Sequence, residues 1–353
     1  MVFLAFLHSD GTKRILAGRN AHKSFLSALA LCDADADWLY GDSLYSCNIT
    51  AEGLEAALEK EKYFAVYITT PDYLGNMTHL QSLSDVCHKH GVPLLVDNAH
   101  GAYLNFTGHH PMSCGADMCC DSAHKTLSCL TGAAYLHVSN SALCSYEDDA
   151  RRALSLFAST SPSYLILASM DKMNDTMLCG YEKRVARASS LAAELKTNLS
   201  HLGVDFSGRE ALKINIKPKS VGYTGQELCA YLEQNAIYPE FCDKDNLVFM
   251  FSPENGAGDF EKILSFFSRL EKRPPINTVA PKMPVLKKQM SVRQAMLGKT
   301  KKVDIRAAVG SVLASPCVSC PPAIPIAVCG ELIDDAAVEC FEYYGINEVL
   351  VVK

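Results

Sequence analysis

Positive charge is in short supply in this 353-residue chain: 33 Lys and Arg stand against 39 Asp and Glu, a formal net charge of −6 at pH 7. Without a basic excess nothing draws the protein onto nucleic acid or an anionic membrane, and a small-molecule partner is expected. Long apolar runs are absent as well, none reaching the roughly 20 residues that a membrane span needs. The opening run Met1 to Leu7 has no basic lead-in and no small-residue cleavage site, so it reads as a buried helix or strand rather than an export signal. No internal repeat and no low-complexity tract is present. Charged residues make up only 20% of the chain against 48% hydrophobic, which excludes disorder, and the length predicts two or three compact units.

Cysteine, by contrast, is plentiful, at 15 residues. These thiols sit in apolar strand-like runs such as Asp117-Met118-Cys119-Cys120-Asp121, so buried thiols in a reducing cytosol are expected rather than a disulfide scaffold. Cys317 and Cys320 form a C-x-x-C pair with Cys329 and Cys340 downstream, which reads as a zinc or redox pair or as coincidence. No second C-x-x-C exists, and prolines follow where a redox motif wants a helix. His109 and His110 with Cys114 carry an equally thin metal signal, while His88 and His90, two apart on a helix, face different directions. No metal is assigned.

Strand-length apolar runs alternate with amphipathic stretches through the first half, the pattern of a parallel sheet covered by helices. Strands are expected at 14–18, 37–40, 64–69, 93–96, 117–121 and 133–138, and helices at 22–32, 50–60 and 78–90. Thr50 is followed three residues later by Gly53, so it reads as a simple cap and not a capping box. One long helical stretch is expected over 164–202, then strand, helix, strand, strand and helix over 213–272. A Pro-rich linker follows at 273–284, and the end of the chain holds a helix near 334–344 and a strand at 348–352. Units are therefore expected over 1–160, 161–272 and 273–353.

Two segments carry the chemistry. Val96-Asp97-Asn98-Ala99-His100-Gly101 puts an acid at the carboxyl end of a predicted parallel strand, where ligands bind in open α/β sheets; read alone, Asp97 and Asn98 also suit a plain turn. Ser122-Ala123-His124-Lys125-Thr126 follows another short apolar strand. A Lys there is either solvated on a loop or desolvated towards the neutral amine, a nucleophile for carbonyls. An acid and a Lys at neighbouring strand ends are what pyridoxal phosphate requires: an amine for its aldehyde and a carboxylate that keeps its ring nitrogen protonated.

The motifs Asp97-x-Ala99-His100-Gly101, Gly115-Ala116-Asp117, Ser122-x-His124-Lys125-Thr126 with Leu130-Thr131-Gly132, and Ser159-Thr160-Ser161-Pro162-Ser163-Tyr164 together resemble the ornithine/lysine/arginine decarboxylases, fold-type-I pyridoxal phosphate enzymes. The likeness extends to Arg19-Asn20-Ala21-His22-Lys23-Ser24, to 320–325 and to Gly330-Glu331, so it covers nearly the whole chain. It implies an α/β fold: a large aminotransferase-like domain with a mainly parallel sheet, plus smaller α/β and carboxy-terminal domains. It implies that Lys125 holds pyridoxal 5'-phosphate as an aldimine and that Asp97 pairs with the ring nitrogen. His22 and Ala99 would cover the two ring faces, Ser122 and His124 would contact the phosphate, and Lys125, His124 or His100 would return a proton to the substrate carbon. Thr160, with Ser159 and Ser161, would approach the phosphate of a neighbouring subunit in a homodimer with shared active sites. Glu331 would be a substrate contact by motif position. The implied activity is decarboxylation of arginine, lysine or ornithine to the amine and carbon dioxide.

The likeness is to the compact bacterial type, with departures. Asn98 stands where Glu is common, and Ala323 and Cys329 stand where Gly and Pro are usual. Such enzymes cradle the phosphate on a Gly-Ser/Thr loop that opens a helix, and Met1 to Leu7 reads as the body of the helix after that loop. A chain without that loop, or a degenerate one, would hold the cofactor poorly. The alternatives left open are an inactive relative and another pyridoxal phosphate lyase or aminotransferase.

Overall fold

The computed structural model describes residues 1–41, 43–140, 143, 145–318 and 323–353. Its largest sheet is built from β1 (Arg14–Gly18), β2 (Asp35–Leu39), β3 (Val66–Thr69), β4 (Leu94–Asp97), β5 (Met118–Asp121) and β6 (Tyr135–Val138). They lie in the order β2-β1-β3-β4-β5-β6. All neighbours are parallel except β6, which runs antiparallel to β5.

The sequence of the central strands explains the layering. Leu94, Leu95 and Val96 are all fully buried, as a strand covered on both faces requires. Successive side chains point to opposite faces. Ile15, Ala17, Tyr67 and Leu95 therefore pack with helices α1 (Val2–Leu7) and α2 (Lys23–Cys32). Leu16, Val66, Ile68, Leu94 and Val96 pack with α3 (Ala51–Leu58) and α4 (Leu80–Lys89) on the other side. The Thr50 hydroxyl accepts from the Gly53 amide (3.2 Å) and starts α3, the simple cap expected from the sequence. His22 occupies the N-cap of α2, its ring nitrogen accepting from the Ser24 amide (3.3 Å). The turn that begins α2 thus presents His22 at the carboxyl end of the sheet.

After the short turn α5 (Ala123–Thr126) come α6 (Glu147–Phe157), α7 (Tyr164–Leu178) and α8 (Tyr181–His201). The single helix expected over 164–202 is two helices. Gly180 between them takes the left-handed conformation (φ 79°), which ends the first and which a residue with a Cβ rarely adopts. A second, antiparallel sheet follows, with β7 (Asp205–Ser207), β8 (Lys213–Lys217), β9 (Phe241–Cys242) and β10 (Leu247–Met250) in the order β7-β8-β10-β9. It is covered by α9 (Gly225–Gln234) and α10 (Ala257–Arg269), and its core includes Val185, Ala192 and Leu199 of α8.

The stretch expected as a linker has no regular structure. Beyond it lie α11 (Val292–Leu297), β11 (Thr300–Asp304), β12 (Cys317–Val318), β13 (Ala327–Val328), α12 (Asp335–Tyr343) and β14 (Glu348–Val352), with β11 antiparallel to β14. No helix among the described residues is long and apolar enough to cross a membrane. The described cysteines are free thiols. Only Cys119, Cys120, Cys242 and Cys317 lie on strands; the others sit on helices and loops. Cys320, half of the C-x-x-C pair, lies outside the described residues.

Candidate active site

β4 and β5 are parallel neighbours, so their carboxyl ends bring Asp97 and the Ser122–Thr126 turn to one place. Asp97 is 8% exposed. Its Oδ2 accepts from the Tyr67 hydroxyl on the adjacent strand (2.8 Å) and its Oδ1 from the Ala99 amide (3.2 Å). Tyr67 reads in sequence as one more core aromatic, and only the β3–β4 pairing reveals its hold on Asp97.

Three residues further on, His100 turns back towards Lys125. The Lys125 amine donates to His100 Nε2 (3.2 Å), which assigns the proton of the neutral ring to Nδ1. That Nδ1 is buried and has no partner. Burial, with the positive charges of Lys213, Lys125 and His22, holds His100 well below the usual imidazole range, so it is neutral at pH 7. Burial also lowers the Lys125 amine, against the pull of Asp97 and Glu240. The ring of Tyr73 meets His100 edge-on, with centroids 5.3 Å apart.

His22 belongs to the same group. Burial and the charges of Lys125 and Lys23 lower it, while Asp97 raises it. His124 points elsewhere: its Nδ1 donates to the Ala133 carbonyl (3.0 Å) across the turn. Ser122 precedes α5 without spending its hydroxyl on a cap. Thr160 lies on the exposed segment between α6 and α7, and among the described residues no hydrogen bond or ion pair ties it to Lys125. Glu331, expected as a substrate contact, is instead buried against Arg19, with Arg19 Nη1 to Oε1 at 2.6 Å and Nη2 to Oε2 at 2.8 Å.

Beside the site lies a hub that the sequence did not disclose. His110 Nε2 and His137 Nε2 each approach Asp121 Oδ2 at 2.9 Å, and Asn98 Nδ2 donates to Oδ1 at 2.8 Å. Burial pushes the Asp121 carboxyl up, but the His110 and His137 hydrogen bonds outweigh it and hold the group well below the usual carboxylate range. The donor atoms of His110, Asp121 and His137 lie within 4.8 Å of one another, close enough for a metal. The Met112 amide donates to His110 Nδ1 (3.3 Å), however, which puts that ring's proton on Nε2, facing Asp121. The group is a hydrogen-bonded hub that ties the Asp97-Asn98 turn to the start of the Lys125 turn.

The residues at the strand ends suit pyridoxal phosphate. Asp97 is a buried carboxylate with two neutral donors and, among the described residues, no ion-pair partner. A desolvated amine and an orphaned imidazole N–H stand beside it. A protonated ring nitrogen answers the first, and an aldehyde answers the amine. An α/β sheet with this pair at adjacent strand ends defines the fold-type-I pyridoxal phosphate class. A sequence profile described as Orn/Lys/Arg decarboxylase, major domain, matches residues 1–217, and the chain belongs to that family.

Relatives bear this out. An arginine decarboxylase of Halalkalibacterium halodurans is 28% identical over 92% of this chain and 71% of its own length. One of Bacillus subtilis is 27% identical over 91% and 71%. Among solved structures, the constitutive lysine decarboxylase of E. coli superposes with a TM-score of 0.75 at 16% identity, over 99% of this chain and 68% of the other. A NifS-like protein of Rickettsia africae superposes at 0.58 with 14% identity, over 76% and 78%. These likenesses establish the fold, and enzymes of this family and fold type are in general pyridoxal phosphate-dependent.

Proposed function

We propose that this protein decarboxylates a basic amino acid, arginine, lysine or ornithine, with pyridoxal 5'-phosphate held at Asp97 and Lys125. The juxtaposition that carries the reading is the Lys125 amine on His100, one strand away from a buried Asp97. Bound there, the cofactor supplies a sink for the electron pair released when the carboxylate leaves.

The chain's own residues do the rest. Asp97, oriented by Tyr67 and Ala99, would hold a proton on the ring nitrogen of the bound cofactor. Lys125, already lowered by burial, gives up its proton more readily than an exposed lysine and would be the covalent attachment point. His22 and Ala99 would flank the ring, and the Ser122 hydroxyl, not spent on a cap, would meet the phosphate, whereas His124 Nδ1 is committed to the Ala133 carbonyl. His100 holds the Lys125 amine through Nε2 and keeps an N–H at Nδ1. Proton return to the substrate carbon would fall to Lys125, with His100 as the imidazole in contact with it.

A homodimer is part of the reading. Leu154, Leu156, Phe157, Tyr164, Leu165 and Leu178 are all exposed on α6 and α7, around Ser159–Ser161. Exposed apolar side chains on the two helices that flank Ser159–Ser161 support a second copy seated there, with Thr160 reaching its site.

The test is direct. Full-length protein with added pyridoxal phosphate gains a visible absorbance band that is lost in Lys125→Ala. Incubation with arginine, lysine and ornithine yields the matching amine from one of them. No amine from any of the three under saturating cofactor refutes the proposal.

A further inference from the structure

A cavity of about 330 Å³ opens at the carboxyl ends of β1 and β3, lined by Asn20, Asn48, Thr69, Asp72, Asn76 and Arg209 among others. It lies beside the reacting pair. Thr69 is the register partner of Asp97, one interstrand spacing of about 4.8 Å away, and Asn20 stands two residues before His22.

Its chemistry is acceptor-rich and unfinished. Asn20 Oδ1 and Thr69 Oγ1 are buried without partners; the Asn20 amide is already committed to the Thr69 carbonyl (3.1 Å). Asp72 is 6% exposed. Its Oδ1 accepts from the Leu74 and Asn76 amides (both 2.9 Å) and its Oδ2 from Asn76 Nδ2 (2.7 Å), which leaves Oδ2 with a free lone pair. Among the described residues no cation pairs with this carboxylate. The Lys213 amine donates to the Asp72 main-chain carbonyl instead (3.1 Å). Burial pushes the Asp72 carboxyl up, against the Asn76 bonds and the Lys213 charge. The Lys213 charge acts on this carboxylate from a distance, so its open lone pair and the two orphaned oxygens remain available to a donor from outside the chain.

We infer that this cavity binds the distal cation of the substrate, an alkyl guanidinium or alkyl ammonium, through Asp72, Thr69 and Asn20. The inference rests on the decarboxylase reading for the identity of the ligand, but the pocket is testable without it. Arg209, which also lines the cavity, is exposed.

Binding of agmatine and of 1,5-diaminopentane to the full chain, measured by calorimetry with and without pyridoxal phosphate, tests it in wild type, Asp72→Asn and Thr69→Val. Hydrogen bonds to a charged group of this kind are worth about tenfold or more in affinity each. Both variants are therefore expected to weaken whichever amine binds by about that factor, and to raise KM for the amino acid with a smaller change in kcat. Thr69→Val removes only an unpartnered oxygen and keeps the argument testable if Asp72→Asn disturbs its turn. Wild type that binds neither amine, or variants that bind as tightly as wild type, overturn the inference. Amine binding that depends on Asp72, in a protein that releases no product from any basic amino acid, upholds the pocket and sinks the decarboxylase reading alone.

Discussion

Removing the Glu331 carboxylate should cost more than removing any exposed charge in the molecule. Arg19 is fully buried, with its guanidinium on both Glu331 oxygens and on the Pro325 and Ile326 carbonyls (3.3 and 3.2 Å). Its charge lies over the Trp38 and Tyr40 rings, 5.2 and 5.3 Å from their centroids. Glu331 also accepts from the Val328 amide (2.9 Å). In Glu331→Ala the guanidinium keeps its place, because two rings and two carbonyls still surround it, but it has no counter-charge and no access to water. Breaking one side of such a buried pair costs about 3 to 5 kcal/mol. At about 2 to 4 °C per kcal/mol for a unit of 150 to 250 residues, the melting temperature falls by about 6 to 20 °C. Scanning calorimetry at pH 7 reads this directly. The double variant Arg19→Met with Glu331→Leu removes both charges and should recover most of the loss, giving a coupling of about 2 kcal/mol or more in the cycle. A Glu331→Ala protein that melts within about 2 °C of wild type refutes the reasoning, because it means that the isolated guanidinium reaches water.

Three more outcomes follow from the same residues. Asp121 has a folded pKa below its unfolded value, so its contribution is present above pH about 4 and is lost as pH falls further; Asp121→Asn should destabilise at pH 7 and converge with wild type in acid unfolding curves, and a gap that persists at low pH contradicts this. Lys125 is lowered by burial, so the folded state holds its proton less tightly than the unfolded chain, and the penalty is present at neutral pH and relieved as pH rises towards 10; Lys125→Met should raise the melting temperature of cofactor-free protein at pH 7, and a lower value counts against the assignment. Burial pushes the Cys87, Cys329 and Cys340 thiols up to about 12, so alkylation at pH 8 should mark exposed Cys179 first and reach these three only on unfolding, as peptide mass spectrometry will show.

What could be read from the chain and what could not divide along a physical line. The central strands were legible because burial on both faces demands continuous apolar runs, and Leu94, Leu95 and Val96 supply one. β11 was missed because Thr300–Asp304 is an edge strand of exposed charged residues whose only signal is its pairing with β14. α11 was missed although Ser291 and Gln294 form a capping box, a pattern that was there to be seen. In the site, Asp97 and Lys125 were legible from their place at strand ends. Tyr67, Asp121 and His137 were not, since each acts across a gap in sequence that only the sheet order closes.

The contrast among the buried charges is what separates the site from the scaffold. Arg19 is matched by Glu331 in a bidentate pair, and Asp121 is saturated by two imidazoles and an amide. Groups so completely answered need nothing from outside the chain, and their loss should register in stability. Among the described residues, Asp97 and Asp72 are buried without a direct ion pair, and the buried atoms His100 Nδ1, Asn20 Oδ1 and Thr69 Oγ1 have no hydrogen-bond partner. All five lie at the carboxyl end of the same parallel sheet, and folding alone gains nothing from collecting unmatched groups in one place. Their concentration there is what the proposed cofactor at Asp97 and Lys125 and the inferred substrate cation at Asp72 would answer.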